Sequence, residues 1–278
     1  MKKYRFLILR RFIQISILVL FFLGNYIGLK ILQGNLSAGL FLDTLNLSDP
    51  YAVLQLLFAG GNLDAKAIVG ALIILLVYAL IFGRVFCSYV CPINIVTDSA
   101  GFLSRKLEIN KLKYNLSISR NVRYWVMVLA LILSFVFGVA AFESISPVSI
   151  LHREIIFGVG IGLLIIVAIF IFDLFVLKDG FCGHLCPLGA FYAFTSHFAL
   201  LKVKYNNKKC TKCMECKVVC PEKQVLNITN NEYDSFVQSG ECTKCGRCIE
   251  VCEDNALSFS INNFAQSQKD TKNEKDDI

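Results

Sequence analysis

Cys210-Thr-Lys-Cys213-Met-Glu-Cys216-Lys-Val-Val-Cys220-Pro221, followed by Cys242-Thr-Lys-Cys245-Gly-Arg-Cys248-Ile-Glu-Val-Cys252-Glu253, is the stretch on which this chain's reading turns. Both halves space their cysteines C-x2-C-x2-C-x3-C, the run with which bacterial ferredoxins hold cubic iron–sulfur clusters. Three thiolates two residues apart can wrap one cluster, while the fourth, three residues further on, is directed to the neighbouring cluster. The spacing predicts two 4Fe–4S clusters. One sits on Cys210, Cys213, Cys216 and Cys252, and the other on Cys242, Cys245, Cys248 and Cys220. A pair of structural zinc sites needs only two C-x2-C knuckles each and leaves the middle cysteine of each triplet without a role. Glu253 stands where the run has proline, which is not a ligand.

Outward from that stretch the chain is unusually apolar: 55% of its 278 residues are hydrophobic and 18% charged. Such a balance points to membrane spans. Twelve cysteines could suggest a secreted disulfide scaffold, but their clustering argues for metal and a reducing compartment. The formal charge of +7 is unevenly placed. Residues 201–278 carry 12 basic and 12 acidic side chains, residues 1–200 carry 16 and 9, and the whole excess lies with the apolar part. No nucleic-acid partner is implied.

Four apolar stretches are long enough to cross a bilayer, which takes about 20 helical residues: Phe12–Leu29, Ala67–Phe86, Tyr124–Phe142 and Ile155–Leu177. The first follows Lys2, Lys3, Arg5, Arg10 and Arg11 and reads as an uncleaved anchor. Arg84, Arg105, Lys106, Lys111, Lys113, Arg120 and Arg123 lie between the second and third, whereas the other two loops hold only Lys30, Lys66 and Arg153. The positive-inside rule then puts both termini in the cytoplasm, with all twelve cysteines at or beyond the inner ends of spans two and four. The expected fold is an all-α bundle of four transmembrane helices, N-in and C-in, in a bacterial inner membrane. It carries a small α+β bacterial-ferredoxin-like domain. The expected boundaries are 1–200 for the bundle, 201–264 for the cluster domain and 265–278 for a disordered tail. Val225–Thr229 and Ala256–Ile261 are the expected short strands.

In the first outward loop, Asp49 and Pro50 start a short helix that stops at Gly60–Gly61. At ten residues it cannot span; it either lies in the outer interface or packs on the bundle. In the second, Ser146 and Pro147 read as the start of the helix that becomes span four. Glu143, His152 and Arg153 sit near the membrane there, and a histidine so placed is a candidate for binding a quinol and taking its protons. The plainer reading is a solvated turn with interfacial charges.

Four cysteines remain. Phe86-Cys87-SYV-Cys91-Pro92 and Phe181-Cys182-GHL-Cys186-Pro187 form an internal repeat of span, C-x3-C-P and amphipathic segment. Proline favours the first helical turn, so Cys91 and Cys186 fall at helix caps. There unpaired N–H groups and the dipole favour the thiolate. Cys87, Cys91, Cys182 and Cys186 are thus candidates for a further metal centre or a redox dithiol pair. Small buried apolar residues would explain one such cysteine better than two identical frames.

Assembled, the pattern resembles the NapH-type membrane ferredoxins, the quinol-dehydrogenase component of periplasmic nitrate reductase systems. The resemblance runs from about Arg10 to Ile261 and is carried by "GNLSAGLFLDTLNLSDPYAVLQ", "GRVFCSYVCPINIVTD", "SPVSILHREIIFG", "FCGHLCPLGAFY" and "CTKCMECKVVCPEKQVL". It implies electrons taken from the membrane quinol pool, menaquinol above all. They would be passed, with a periplasmic iron–sulfur partner subunit, towards the nitrate reductase. Relatives sharing the same frame serve methylamine use, nitrous oxide reduction and oxidase assembly, so metal reduction or oxidase assembly is the alternative. A redox sensor ranks below both, because no output domain is present. No nucleophile–base pair, phosphate loop or nicotinamide fingerprint appears.

Overall fold

The structure is a computed structural model and describes residues 4–28, 31–42, 44–61, 63–107, 119–158, 160–230 and 233–261. The tail from Ala265 lies outside the described residues.

The long helix α1 (Arg5–Tyr26) leads into a three-stranded antiparallel meander, β1 (Leu32–Gly34), β2 (Ala38–Phe41) and β3 (Leu45–Ser48). Helices α2 (Pro50–Phe58) and α3 (Ala65–Leu76) follow, the second running on through a wide π-helical stretch, Val77–Phe82. The short α4 (Phe86–Tyr89) and α5 (Ile93–Lys106) close the first half. The second half has α6 (Val122–Phe137), α7 (Ala141–Ile145), α8 (Pro147–Phe157) and α9 (Leu163–Ile171), again with a π-helical continuation, Phe172–Val176. Then come α10 (Pro187–Thr195), β4 (Leu201–Tyr205), α11 (Glu215–Val219), β5 (Ser235–Phe236), α12 (Arg247–Val251) and β6 (Leu257–Ile261).

Among the described residues two helices, Arg5–Tyr26 and Ala65–Phe82, are long and apolar enough to cross a bilayer. Val122–Phe137 and Leu163–Val176 are shorter apolar helices. The third stretch ends earlier than expected because Gly138, at φ 66°, turns the chain and caps α6 through Ser134. The fourth is cut in two. The helix begun by Ser146 and Pro147 stops at Phe157, where Gly158 has a φ of 103°. Glu154 then accepts the backbone N–H groups of Gly160 and Gly162, fixing the turn before α9.

The chain divides into two compact bodies. One comprises Met1–Arg10, Val77–Ser88 and Tyr192–Ile278, and the other Arg11–Leu76 and Tyr89–Phe191. The first therefore includes two segments that sequence order assigns to the bundle. Its core is Val203, Tyr205, Val225, Leu226, Val237 and Leu257 with Cys220 and Cys248. Its sheet has the order β5-β4-β6, with both pairings antiparallel. The expected strand Ala256–Ile261 is present as β6. The expected strand Val225–Thr229 is instead part of a 3-10 stretch, Lys223–Asn230. Its buried residues Val225, Leu226 and Thr229 recur with a turn's spacing rather than alternating, and β4 takes the pairing.

In the second body the Asp49 side chain accepts the N–H of Tyr51 (3.3 Å) and Pro50 sits in the first turn of α2. This helix buries Pro50, Tyr51, Ala52, Val53 and Gln55 and packs on α3 and α6. The Tyr51 hydroxyl donates to the Met127 carbonyl of α6 (3.2 Å). The meander, read only as loop from its short runs, lies on α3: a side chain at Gly70 would collide with the Asn46 carbonyl.

Candidate metal centres

Each triplet loop turns twice through left-handed backbone. Lys212 and Met214 have φ of 57° and 63°, and Lys244 and Gly246 have 53° and 77°. Those turns bend the loop so that its thiols face one space. The two spaces are separate cavities. Site one is lined by Cys210, Cys213, Cys216 and Cys252, with Tyr205 and Leu257 behind them. Site two is lined by Cys242, Cys245, Cys248 and Cys220, with Val203, Val225 and Leu226. The fourth cysteine of each run thus lines the other run's cavity.

The donor chemistry fits a polynuclear cluster. Among the described residues no three His, Cys, Asp or Glu side chains converge on one point where a single ion would sit. The thiols instead ring an apolar space. Backbone N–H groups of Lys212 and Ala256 point at Cys210 Sγ (3.4 Å) and Cys252 Sγ (3.3 Å), the hydrogen bonds that stabilise a thiolate. Burial pushes the Cys248 thiol well above its ordinary value and Cys242 to about 11, with the Lys244 N–H pulling Cys242 back. Thiols held neutral in this way become thiolates when a cation supplies the opposing charge.

Segments far from the cysteines in sequence complete site two. Arg84, 2% exposed, pairs with the equally buried Glu222 at 2.7 Å and donates to the Glu241 carbonyl at 3.1 Å. The Ser88 hydroxyl donates to the Thr243 carbonyl (2.8 Å), and the Lys244 ammonium to the Phe82 carbonyl (2.9 Å). The Phe6 ring covers Gly246, where any β-carbon would strike it, and meets Phe259 edge-on at 5.3 Å. The Glu250 carboxylate accepts the N–H groups of Phe6 and Leu7 (2.5 and 3.1 Å), capping the start of α1. Site one lacks such a cover: Cys213 is exposed and, with Cys252, borders an open cleft. Sequence reading missed these partners; the only local signal was Arg84 standing three residues before Cys87.

The remaining candidate residues are divided between the bodies. Cys87 lies half-buried on α4 in the first, while Cys91, Cys182 and Cys186 belong to the second. Cys186 does cap α10, its sulfur accepting the N–H of Gly189 at 3.4 Å. Cys91 does not cap α5, which begins at Ile93 with Pro92 at its cap position. The Cys91 carbonyl accepts the Gln14 amide (3.1 Å), and Cys182 lies 3.9 Å from the Thr97 hydroxyl. His152 is not in a solvated turn. It is fully buried, edge-on to Phe21 at 4.7 Å, with neither ring nitrogen hydrogen-bonded among the described residues. Burial lowers it to about 4, so it is neutral at pH 7. The nearby Glu143 instead accepts from Ser37 (2.6 Å) and Ser149 (2.5 Å).

Two cysteine-ringed cavities built by a doubled ferredoxin run, joined to long apolar helices, define a ferredoxin-type electron-transfer protein. A "4Fe-4S dicluster domain" model matches residues 202–253, and a "4Fe-4S binding domain" model matches residues 64–110 and again 159–207, once on each C-x3-C-P half. The chain is 45% identical to the "Ferredoxin-type protein NapH" of Haemophilus influenzae, over 80% of this chain and 77% of that one. It is 41% identical to the NapH of Escherichia coli, over 85% and 82%. Against the "Methylamine utilization ferredoxin-type protein MauN" of Paracoccus denitrificans it is 42% identical, over 79% and 77%. The chain belongs to this family of NapH and MauN ferredoxin-type proteins. No solved structure matches it.

Proposed function

We propose that the chain is the membrane component of a quinol dehydrogenase. It takes electrons from menaquinol or a similar quinol and passes them, by way of two 4Fe–4S clusters, towards a periplasmic nitrate reductase. The observation that carries the reading is the pair of cavities with exchanged fourth cysteines. Cys210, Cys213, Cys216 and Cys252 would hold one cluster and Cys242, Cys245, Cys248 and Cys220 the other. Bound there, such clusters supply one-electron carriers. The protein's own part is to keep eight thiolates fixed, to exclude water from site two, and to present apolar helices to the bilayer.

The proposed topology is four spans with both termini inside, which requires the shorter helices Val122–Phe137 and Leu163–Val176 to cross as well. The basic residues between spans two and three support that orientation. A C-terminal reporter active only in the periplasm would overturn it. His152 is proposed as a hydrogen-bond partner for the quinol, since a buried neutral imidazole with both nitrogens free can accept a hydroxyl proton. Cys87, Cys91, Cys182 and Cys186 are proposed as a further redox or ligand set.

The direct test is anaerobic reduction of the purified protein with a menaquinol analogue. Bleaching of the cluster absorbance is expected, and intact clusters that fail to bleach would overturn the proposal. A second reading, electron delivery for methylamine use, is favoured by the equal likeness to MauN. A deletion strain that keeps nitrate respiration but loses growth on methylamine would select it.

A further inference from the structure

The two cysteine runs align residue for residue, and each carries Thr-Lys between its first two cysteines. Lys212 and Lys244 therefore occupy the same loop position with nearly the same backbone, φ 57° and 53°. Their surroundings differ. Lys212 is exposed, whereas Lys244 is 5% exposed. The Lys244 ammonium donates to the Phe82 carbonyl, and among the described residues no carboxylate pairs with it. A buried ammonium without an anion is costly. It lines site two beside four cysteines, whose thiolates and iron–sulfur core would provide the missing negative charge.

The remaining charges point the same way. Site one is lined by Lys212 against Glu215 and Asp254, one positive and two negative. Site two is lined by Lys244 with Glu222 as its one carboxylate, and Glu222 is already matched by Arg84 from outside the cavity. Reduction adds an electron, so a nearby cation stabilises the reduced form more than the oxidised form. Excluding water strengthens the cation's effect but also disfavours the extra negative charge of the reduced cluster. A buried ammonium therefore raises the potential only by outweighing that burial, while an exposed cation is screened.

We propose that the two sites hold clusters of unequal potential, the buried site two the higher, and that the Lys244 ammonium sets the difference. The inference rests on the reading that the eight cysteines are the cluster ligands. Gly83 is part of the device: at φ 64° it carries the chain past Lys244, and a β-carbon there would strike the ammonium.

The experiment is a redox titration of the whole protein in detergent, followed by electron paramagnetic resonance, with iron counted in every sample. Two midpoints are expected. Lys244→Gln lowers the higher one and leaves the other, Lys212→Gln moves neither appreciably, and Lys244→Arg restores most of the shift. If Lys244→Gln does not load fully, Cys213→Ser decides the matter, since the cluster it retains must titrate at the higher midpoint. Full iron with unchanged midpoints in Lys244→Gln, an equal shift in Lys212→Gln, or a lower-potential cluster in Cys213→Ser overturns the inference alone. An iron-free wild-type protein overturns the ligand reading and this inference with it.

Discussion

Site one and site two share a spacing, a Thr-Lys pair and a backbone path, yet site one opens to solvent while site two lies beneath Val77–Ser88 and the Phe6 ring. The cysteines settle which thiols can share a cavity. What surrounds that cavity comes from chain more than 100 residues away, for Arg84 meets Glu222 and Phe6 meets Gly246. Two copies of one motif can therefore differ in stability, in access and in electrostatics, and each difference can be broken separately.

The largest effect is expected from the proposed cluster ligands. Cys213→Ser and Cys248→Ser should each remove about half of the bound iron. Only Cys248→Ser should also leave the first body poorly folded, because Cys248 belongs to its core and Cys213 does not. Iron analysis beside a thermal melt separates the two, and equal melting temperatures would erase the proposed contrast. Next in size is Arg84→Met. It leaves the buried Glu222 carboxylate without the Arg84 guanidinium while Gln224 still donates to it (2.9 Å), which costs about 3–5 kcal/mol, and adding Glu222→Leu should recover most of it. The less deeply buried pair Arg11–Asp98 (2.5 Å; side chains 24% and 9% exposed) in the other body is the comparison, expected to cost less when broken.

Much of this was legible in the sequence. The exchanged fourth cysteines follow from the x2-x2-x3 spacing alone, and the Pro-capped thiol of Cys186 from its position before Pro187. Other features were hidden for identifiable reasons. Val225–Thr229 has strand-like composition, and nothing local tells that its apolar side chains are needed on one side of a turn. The break at Gly158 sits inside an otherwise continuous apolar run, so hydropathy reads through it. His152, beside Glu143 and Arg153, left a quinol candidate and a solvated turn both open, and only the fold shows that the helix buries it. The pairing of Arg84 with Glu222 spans 138 residues, and beyond the place of Arg84 just before Cys87 nothing local marks it.

A smaller effect tests the packing over site two. Gly246→Ala puts a β-carbon both into left-handed backbone and against the Phe6 ring, at a cost of about 1–3 kcal/mol. Met214→Ala, at the equivalent position of site one, already tolerates a side chain at φ 63° and should cost less. The pair is compared by thermal melting, and equal losses would mean that the Phe6 cover contributes nothing.

The smallest effect concerns Glu250, which stands between Cys248 of site two and Cys252 of site one. Its counterpart in the first run is Val218, 54% exposed. The Glu250 carboxylate takes two N–H groups that α1 leaves unsatisfied in its first turn, and its negative charge also meets the positive end of that helix. Glu250→Gln keeps the shape and one acceptor oxygen but loses the charge, so a cost of about 0.5–1 kcal/mol is expected. A global melt is too coarse for a change of that size, and amide hydrogen exchange at Phe6 and Leu7 reads it directly. Exchange there should quicken several-fold in Glu250→Gln and stay unchanged in Val218→Ala. Unchanged exchange in both would show that α1 is held to this body by the Phe6 ring alone, and the cover over site two would then be a single hydrophobic contact rather than a capped helix.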